Sequence, residues 1–194
     1  KRMTGLEPIE SQIDILNCLQ DPAIKSTCIS AGRGYSKTLM ASICALWFSE
    51  VYSTDIKQPV DVLLISSQSA FYSRTDTVFR NHPELKQRLR NLGRSLEIPI
   101  KSFQFKDNWS QVFRIVPTTN SIRSQRCSLL IIDEAASISD NIINVALSCP
   151  TGSLNKTVLI STPHQMHSMF NSIIKSQSKG WSIKQYPSTL CSWM

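Results

Sequence analysis

The sequence predicts an α/β fold in which a mostly parallel central sheet is covered by helices. Two observations support this prediction: stretches with helical spacing alternate with short β-branched runs, and several of those runs, such as that at 129–132, are continuously apolar. Strands that are apolar on both faces are typical of a parallel sheet buried between helices. Ligands bind such sheets beyond the carboxyl ends of the strands, so functional residues are expected there.

Each predicted element follows from its local pattern. Apolar residues at helical spacing precede Asp21-Pro22, a pair that ends a helix. Runs rich in β-branched residues are predicted as strands, and the apolar or amphipathic stretches between them as helices. In chain order we predict a helix at 8–20, a strand at 25–30, a helix at 38–52, a strand at 59–66, helices at 68–80 and 83–94, strands at 111–116 and 128–133, a helix at 139–147, a strand at 157–161, a helix at 165–178 and a strand at 181–186.

The composition of the chain excludes some classes of protein and favours others. The chain has 194 residues, the size of one domain, and 41% of them are hydrophobic. No apolar run reaches the roughly 18 residues of a membrane span, so no membrane partner is expected. The net charge of +7 favours a polyanion such as nucleic acid, with a solvated basic surface as the alternative. Six scattered cysteines without a CxxC pair indicate neither disulfides nor zinc, and favour a reducing interior.

A phosphate-binding Walker A loop is predicted between the first strand and the second helix. Backbone N–H groups at a helix N-terminus bind phosphate, the lysine contacts the β- and γ-phosphates of ATP, and the following hydroxyl binds Mg²⁺. The usual motif has glycine where this chain has Ala31 and Ser36, and an ordinary strand–helix turn is the alternative. The loop consists of Ala31, Gly32, Arg33, Gly34, Tyr35, Ser36, Lys37 and Thr38.

Two carboxylates follow an apolar strand at 129–132, as in a Walker B motif. Asp133 is expected to hold Mg²⁺ opposite Thr38, and Glu134 to accept a proton from the attacking water. Another strand ends in Ser161-Thr162, whose hydroxyls are expected to sense the γ-phosphate. The sequence therefore predicts a P-loop NTPase that binds ATP with Mg²⁺.

These motifs resemble the ATPase domain of viral terminase large subunits, which are DNA-packaging motors with an ASCE-type P-loop fold. The resemblance implies that Gln12 reads adenine and that Arg33 contacts phosphates during hydrolysis. It also implies that Ser161 and Thr162 couple hydrolysis to DNA movement. It rests on the sequences at 12–16, 31–38, 63–70, 129–135 and 159–163.

The same resemblance implies a biological setting. The expected function is packaging of double-stranded viral DNA into a procapsid, inside the host cell during virus assembly. The expected partners are double-stranded DNA, a portal, a small terminase subunit and further copies of the chain in a ring. In isolation the chain is expected to be a monomer.

A second, nuclease domain is usual in this family, but residues 141–194 contain no Asp or Glu. We therefore expect a single ATPase domain over residues 1–194, either cut from a longer motor or belonging to an ATPase-only relative. The lack of Met at position 1 favours the former.

Other interpretations remain open. A helicase-type ATPase would need a second motor domain, and a nucleotide- or DNA-binding module with little hydrolysis would not need Glu134. The basic stretch from Arg74 to Lys101 suits a DNA-tracking or inter-subunit face, or two solvated helix faces. We expect His164 and His167 to be solvated, and the four tryptophans to be packing residues.

Overall fold

The sheet contains seven strands in the order β3-β4-β2-β5-β6-β1-β7. The computed structural model describes residues 9–66, 70–90, 102–163 and 167–187. Neighbouring strands are parallel except β3 and β4, which are antiparallel, so the predicted mostly parallel sheet is confirmed. The strands are β1 (Ser26–Ala31), β2 (Asp61–Ile65), β3 (Ser102–Gln104), β4 (Gln111–Ile115), β5 (Leu129–Asp133), β6 (Lys156–Ser161) and β7 (Trp181–Tyr186).

Helices cover both faces of this sheet. They are α1 (Glu10–Gln20), α2 (Lys37–Trp47), α3 (Ser53–Asp55), α4 (Ala70–Asn81), α5 (Pro83–Gln87), α6 (Thr119–Ile122), α7 (Asp140–Ala146) and α8 (Met169–Ser176). A π-helical turn, Phe48–Tyr52, joins α2 to α3, so that helical backbone runs without a break from Lys37 to Asp55. Within the described ranges, none of these helices is both long and apolar enough to span a bilayer.

Alternate residues of the central strands feed two separate cores. On β2, Val62 and Leu64 join the core under α1, α2 and α4, whereas Leu63 and Ile65 join the core under α7 and α8. Successive strand side chains point to opposite faces, so both sets must be apolar. This double burial explains the continuous apolar runs.

The strand order brings the motifs to one edge. Strand β6 lies between β1, which leads into the predicted phosphate loop, and β5, which ends at Asp133. The three strands are parallel, so their carboxyl ends lie at the same edge of the sheet.

Several local predictions were wrong. The predicted helix at 83–94 ends at Gln87, because Leu89 bridges to Phe105 and the Arg90 N–H donates to the Gln104 carbonyl at 2.7 Å. Strand β3 and helix α6 were not predicted. Trp109 is 56% exposed rather than packed, with the Arg90 guanidinium carbon 4.8 Å from its ring centroid. The sites of Arg94, Lys101, His164, Cys191 and Trp193 lie outside the described residues.

Candidate nucleotide site

The predicted phosphate loop connects the end of β1 to the start of α2. Its entrance is fixed by the Gly32 N–H, which donates to the Tyr186 carbonyl at 2.9 Å. Two residues then adopt left-handed backbone, Gly34 with φ 86° and Ser36 with φ 57°. Ser36 is the N-cap of α2, and its carbonyl accepts the Met40 N–H at 2.9 Å. The loop therefore ends on a helix N-terminus, the backbone arrangement that binds phosphate.

Lys37 and Thr38 occupy the first turn of α2. The Lys37 side chain is 9% exposed. The Thr38 hydroxyl donates to Asp133 Oδ2 at 3.0 Å, joining the first turn of the helix to the end of β5. The two motifs are 95 residues apart in the chain and touch in the fold.

Asp133 is fully buried at the end of β5. Burial raises the pKa of its carboxyl to about 6, although hydrogen bonds from Thr38 and from the Glu134 N–H oppose the rise. A buried carboxylate is costly unless it is paired or coordinates a metal. The carboxylate and the Thr38 hydroxyl are the hard oxygen donors that Mg²⁺ takes alongside water and substrate phosphates, so these residues fit Mg²⁺. No group of three His, Cys, Asp or Glu side chains suited to a metal occurs in the described part of the chain.

Glu134 lies where β5 turns into a 3-10 turn, Ala135–Ser137. Its backbone is left-handed, with φ 54°, which is unfavourable for a residue with a side chain and is frequent at functional sites. The Ser161 hydroxyl, buried at the end of β6, donates to Glu134 Oε2 at 3.4 Å. Strand β6, which lies between β1 and β5, therefore contacts the predicted catalytic carboxylate.

The remaining predicted residues are placed as follows. Ala31 is buried at the end of β1, Arg33 is exposed in the loop, and Thr162 is half-buried after β6. Gln12 is 8% exposed on α1, where its Oε1 accepts the Ile9 N–H at 3.4 Å. A cavity of about 590 Å³ opens beside α1, lined by Ile9, Glu10, Ser11, Ile13, Asp14, Asn17 and Tyr186.

Sequence reasoning missed the support of the loop from β7. Tyr35 stacks on Tyr186, with ring centroids 5.1 Å apart and planes at 3°. Its hydroxyl donates to Ser11 Oγ at 2.8 Å. The pairing of β7 with β1 depends on tertiary structure and has no local sequence signal.

The mostly parallel, helix-covered sheet is the fold of P-loop NTPases, with the predicted phosphate loop and acidic pair at one edge. No protein-family model and no curated protein matches the chain. Among solved structures, the bacteriophage HK97 large terminase matches with TM-score 0.74 and 11% identity, over 93% of this chain and 39% of that one. A large terminase from a thermophilic bacteriophage matches with TM-score 0.71 and 14% identity, over 97% of this chain and 48% of that one.

An isolated domain gives a third comparison. The large terminase ATPase domain of Thermus phage P74-26 matches with TM-score 0.64 and 15% identity, over 95% of this chain and 82% of that one. The thermophilic bacteriophage terminase was also solved with ADP and with ATP-gamma-S. This chain spans less than half of the two larger terminases. Its fold is that of large terminase ATPase domains, which confirms at the level of fold the resemblance drawn from the motifs.

Proposed function

We propose that the chain is the ATPase domain of a phage large terminase, which hydrolyses Mg²⁺-bound ATP to drive double-stranded DNA into a procapsid. The observation that carries the proposal is the contact between Thr38 and Asp133, with Glu134 next to it against Ser161. An ordinary strand–helix turn would give no reason for a fully buried carboxylate at this position. The likeness to terminase ATPase domains supports the same function.

The loop residues bind and orient the nucleotide. The backbone N–H groups of Gly34, Ser36 and Lys37 face the phosphates, and the Lys37 ammonium neutralises charge on the β- and γ-phosphates. Thr38 and Asp133 would hold Mg²⁺, which supplies positive charge to the phosphate oxygens when bound. Arg33 is exposed in the same loop and is assigned to the phosphates during hydrolysis. Adenine is assigned to Gln12 on α1.

Glu134 is the general base of this scheme. Water attacks the γ-phosphorus, its proton passes to the Glu134 carboxylate, and the bond between the γ-phosphorus and the β–γ bridging oxygen breaks. ADP and phosphate are the products. The contact from Ser161 orients Glu134, and Ser161 with Thr162 links the γ-phosphate end of the site to β6.

The partners belong to the same proposal. Duplex DNA suits the net charge of +7, since basic side chains displace the counterions of the phosphate backbone. A portal, a small terminase subunit and a ring of copies in the host-cell interior follow from the terminase likeness. A helicase-type ATPase and a nucleotide-binding module are the competing functions.

The test is phosphate release from Mg-ATP, with and without linear duplex DNA. We expect hydrolysis by the wild type, stimulation by DNA, and a loss of at least about 100-fold in Lys37→Ala, the size of effect seen when a charge-stabilising group is removed. Lys175→Ala is the matched control, because Lys175 is exposed in the last turn of α8. Its basal rate should match the wild type.

The outcomes separate the functions. Hydrolysis that DNA does not affect would reject the motor while keeping the ATPase. Tight ATP binding without hydrolysis would support the binding module. A chain that does not bind ATP would overturn the assignment of the loop.

A further inference from the structure

Tyr35 anchors the middle of the phosphate loop to the rest of the fold. Its side chain is 2% exposed and is directed toward α1 and β7. The hydroxyl donates to Ser11 on α1, and the ring lies flat against Tyr186. A side chain in this position restrains the backbone on both sides of it, including the left-handed Gly34 and Ser36.

Tyr186, the last residue of β7, holds the loop at two points. Its carbonyl accepts the Gly32 N–H at 2.9 Å, at the loop entrance. Its ring stacks on Tyr35, three residues further on. The register that pairs Ala31 with Tyr186 sets both contacts, so the position of β7 beside β1 determines them.

The Tyr186 ring is itself fixed from α1. Its phenol donates to Asp14 Oδ2 at 2.9 Å, and the Lys184 ammonium contacts the same carboxylate, 2.9 Å from Oδ1. Although burial opposes the change, these two hydrogen bonds lower the pKa of Asp14 below its ordinary value. An ionised carboxylate between a phenol and an ammonium forms strong charge-assisted hydrogen bonds.

We propose that Tyr186 is a positioning residue for the phosphate loop, acting through its carbonyl on Gly32 and through its ring on Tyr35. In this arrangement α1 and β7 form a support that keeps the loop in the shape that receives phosphates. The inference rests on the proposed nucleotide-binding function. It adds a residue of β7, outside both Walker motifs, to the determinants of nucleotide affinity.

The test compares Mg-ADP affinity and thermal stability in the wild type, Tyr186→Leu, Tyr186→Phe and a control. Leucine removes the stacked ring, and we expect affinity to fall about tenfold or more, equivalent to about 1.4 kcal/mol. Phenylalanine keeps the ring and loses only the phenol, so affinity should stay within about threefold. In steady-state hydrolysis, the leucine variant should show a larger change in KM than in kcat, because the damaged step is phosphate binding.

Tyr52→Leu is the matched control for lost aromatic packing. Tyr52 stacks on Phe48 with centroids 4.8 Å apart, in the π-helical turn and away from the loop. It should lower the melting temperature without changing Mg-ADP affinity. Unchanged affinity in Tyr186→Leu would overturn the inference, as would equal affinity losses in Tyr186→Leu and Tyr52→Leu. A wild type that fails to bind Mg-ADP would overturn the proposed function as well, so the two failures are distinguishable.

Discussion

Ser36 adopts a left-handed backbone conformation that glycine reaches at least cost. This conformation costs a residue with a Cβ about 1–2 kcal/mol. Replacing the residue by glycine relieves that strain, but part of the gain in stability is lost because glycine has more conformational entropy in the unfolded chain. The serine that departs from the usual Walker A pattern therefore retains the expected loop geometry under strain. The structure therefore indicates that serine in place of the motif's glycine costs stability.

Ser36→Gly is expected to raise the free energy of unfolding by about 0.5–1 kcal/mol without weakening Mg-ADP binding. Urea unfolding and calorimetric titration measure the two quantities. Gly34→Ala is the converse control, since Gly34 has φ 86° and alanine should destabilise the chain there. Destabilisation by Ser36→Gly would show that the serine side chain stabilises the loop.

Asp133 makes stability depend on pH. Burial raises its pKa to about 6 from an ordinary value of 3.8, so the folded chain keeps a proton that the unfolded chain has already released. Stability of the metal-free protein therefore falls as pH rises from about 4 to 6 and stays reduced above that interval.

Asp133→Asn removes this penalty. In EDTA at pH 8 we expect the free energy of unfolding to rise by about 3 kcal/mol, given about two pKa units at about 1.4 kcal/mol each, and to change little at pH 4. The same variant should lose Mg-ADP affinity, because the carboxylate proposed to hold Mg²⁺ is gone. An equal stability change at both pH values would contradict the assigned pKa.

At the scale of elements, the helix that begins at Lys37 is held at its far end by Asn108. The Asn108 amide donates to the Ser49 carbonyl at 2.9 Å and to Ser53 Oγ at 2.7 Å, around the π-helical turn. Ser110 completes the cluster through its own contact with Ser53 at 2.9 Å. The turn between β3 and β4 is thereby tied to the helix that carries the phosphate loop.

Asn108→Ala is expected to lower the free energy of unfolding by about 1–3 kcal/mol, because the Ser49 carbonyl and the Ser53 hydroxyl each lose a hydrogen bond from the Asn108 amide. Asn144→Ala is the control, since Asn144 is exposed on α7 and its loss should change stability by less than about 0.5 kcal/mol. Urea unfolding of both variants provides the comparison. Equal free energies of unfolding in the two variants would show that the hydrogen bonds of Asn108 make no net contribution to stability.

Helices and strands with a strong local sequence pattern were predicted, and those without one were missed. Strands β2, β5 and β6 were predicted because burial on both faces leaves a continuous apolar run in each, and β1 was predicted because it is rich in strand-forming residues. The three-residue β3 has no such run, and its pairing with β4 depends on tertiary structure. The π-helical turn carries no sequence signature. The phosphate loop and the acidic pair were predicted from motif chemistry, while Tyr186 depended on strand order.

At the scale of the whole molecule, the cysteines report on the integrity of the two cores. Burial raises the pKa of Cys28, Cys44 and Cys127 to about 12, and Cys18 and Cys149 are also buried and free. Thiol reactivity follows the thiolate fraction and access. The folded protein should therefore protect these five thiols.

A Cys191→Ser variant makes the measurement simple. In native buffer a thiol-specific disulfide reagent should react slowly, and in denaturing urea five thiols should react rapidly. Rapid reaction of several thiols in native buffer would contradict the described packing. The wild type, treated in parallel, isolates the reactivity of the sixth cysteine.

If the predicted phosphate loop, Asp133 and Glu134 form one hydrolytic site, Glu134→Gln should stop hydrolysis without stopping nucleotide binding. The measurement is single-turnover phosphate release from Mg-ATP, with ATP-gamma-S affinity measured on the same samples and Asp55→Asn as the exposed-carboxylate control. We predict at least about 100-fold slower release in Glu134→Gln, the contribution typical of a general base, with affinity within about threefold of the wild type. Release at the wild-type rate would contradict the assignment of Glu134 and, with it, the hydrolytic site described above.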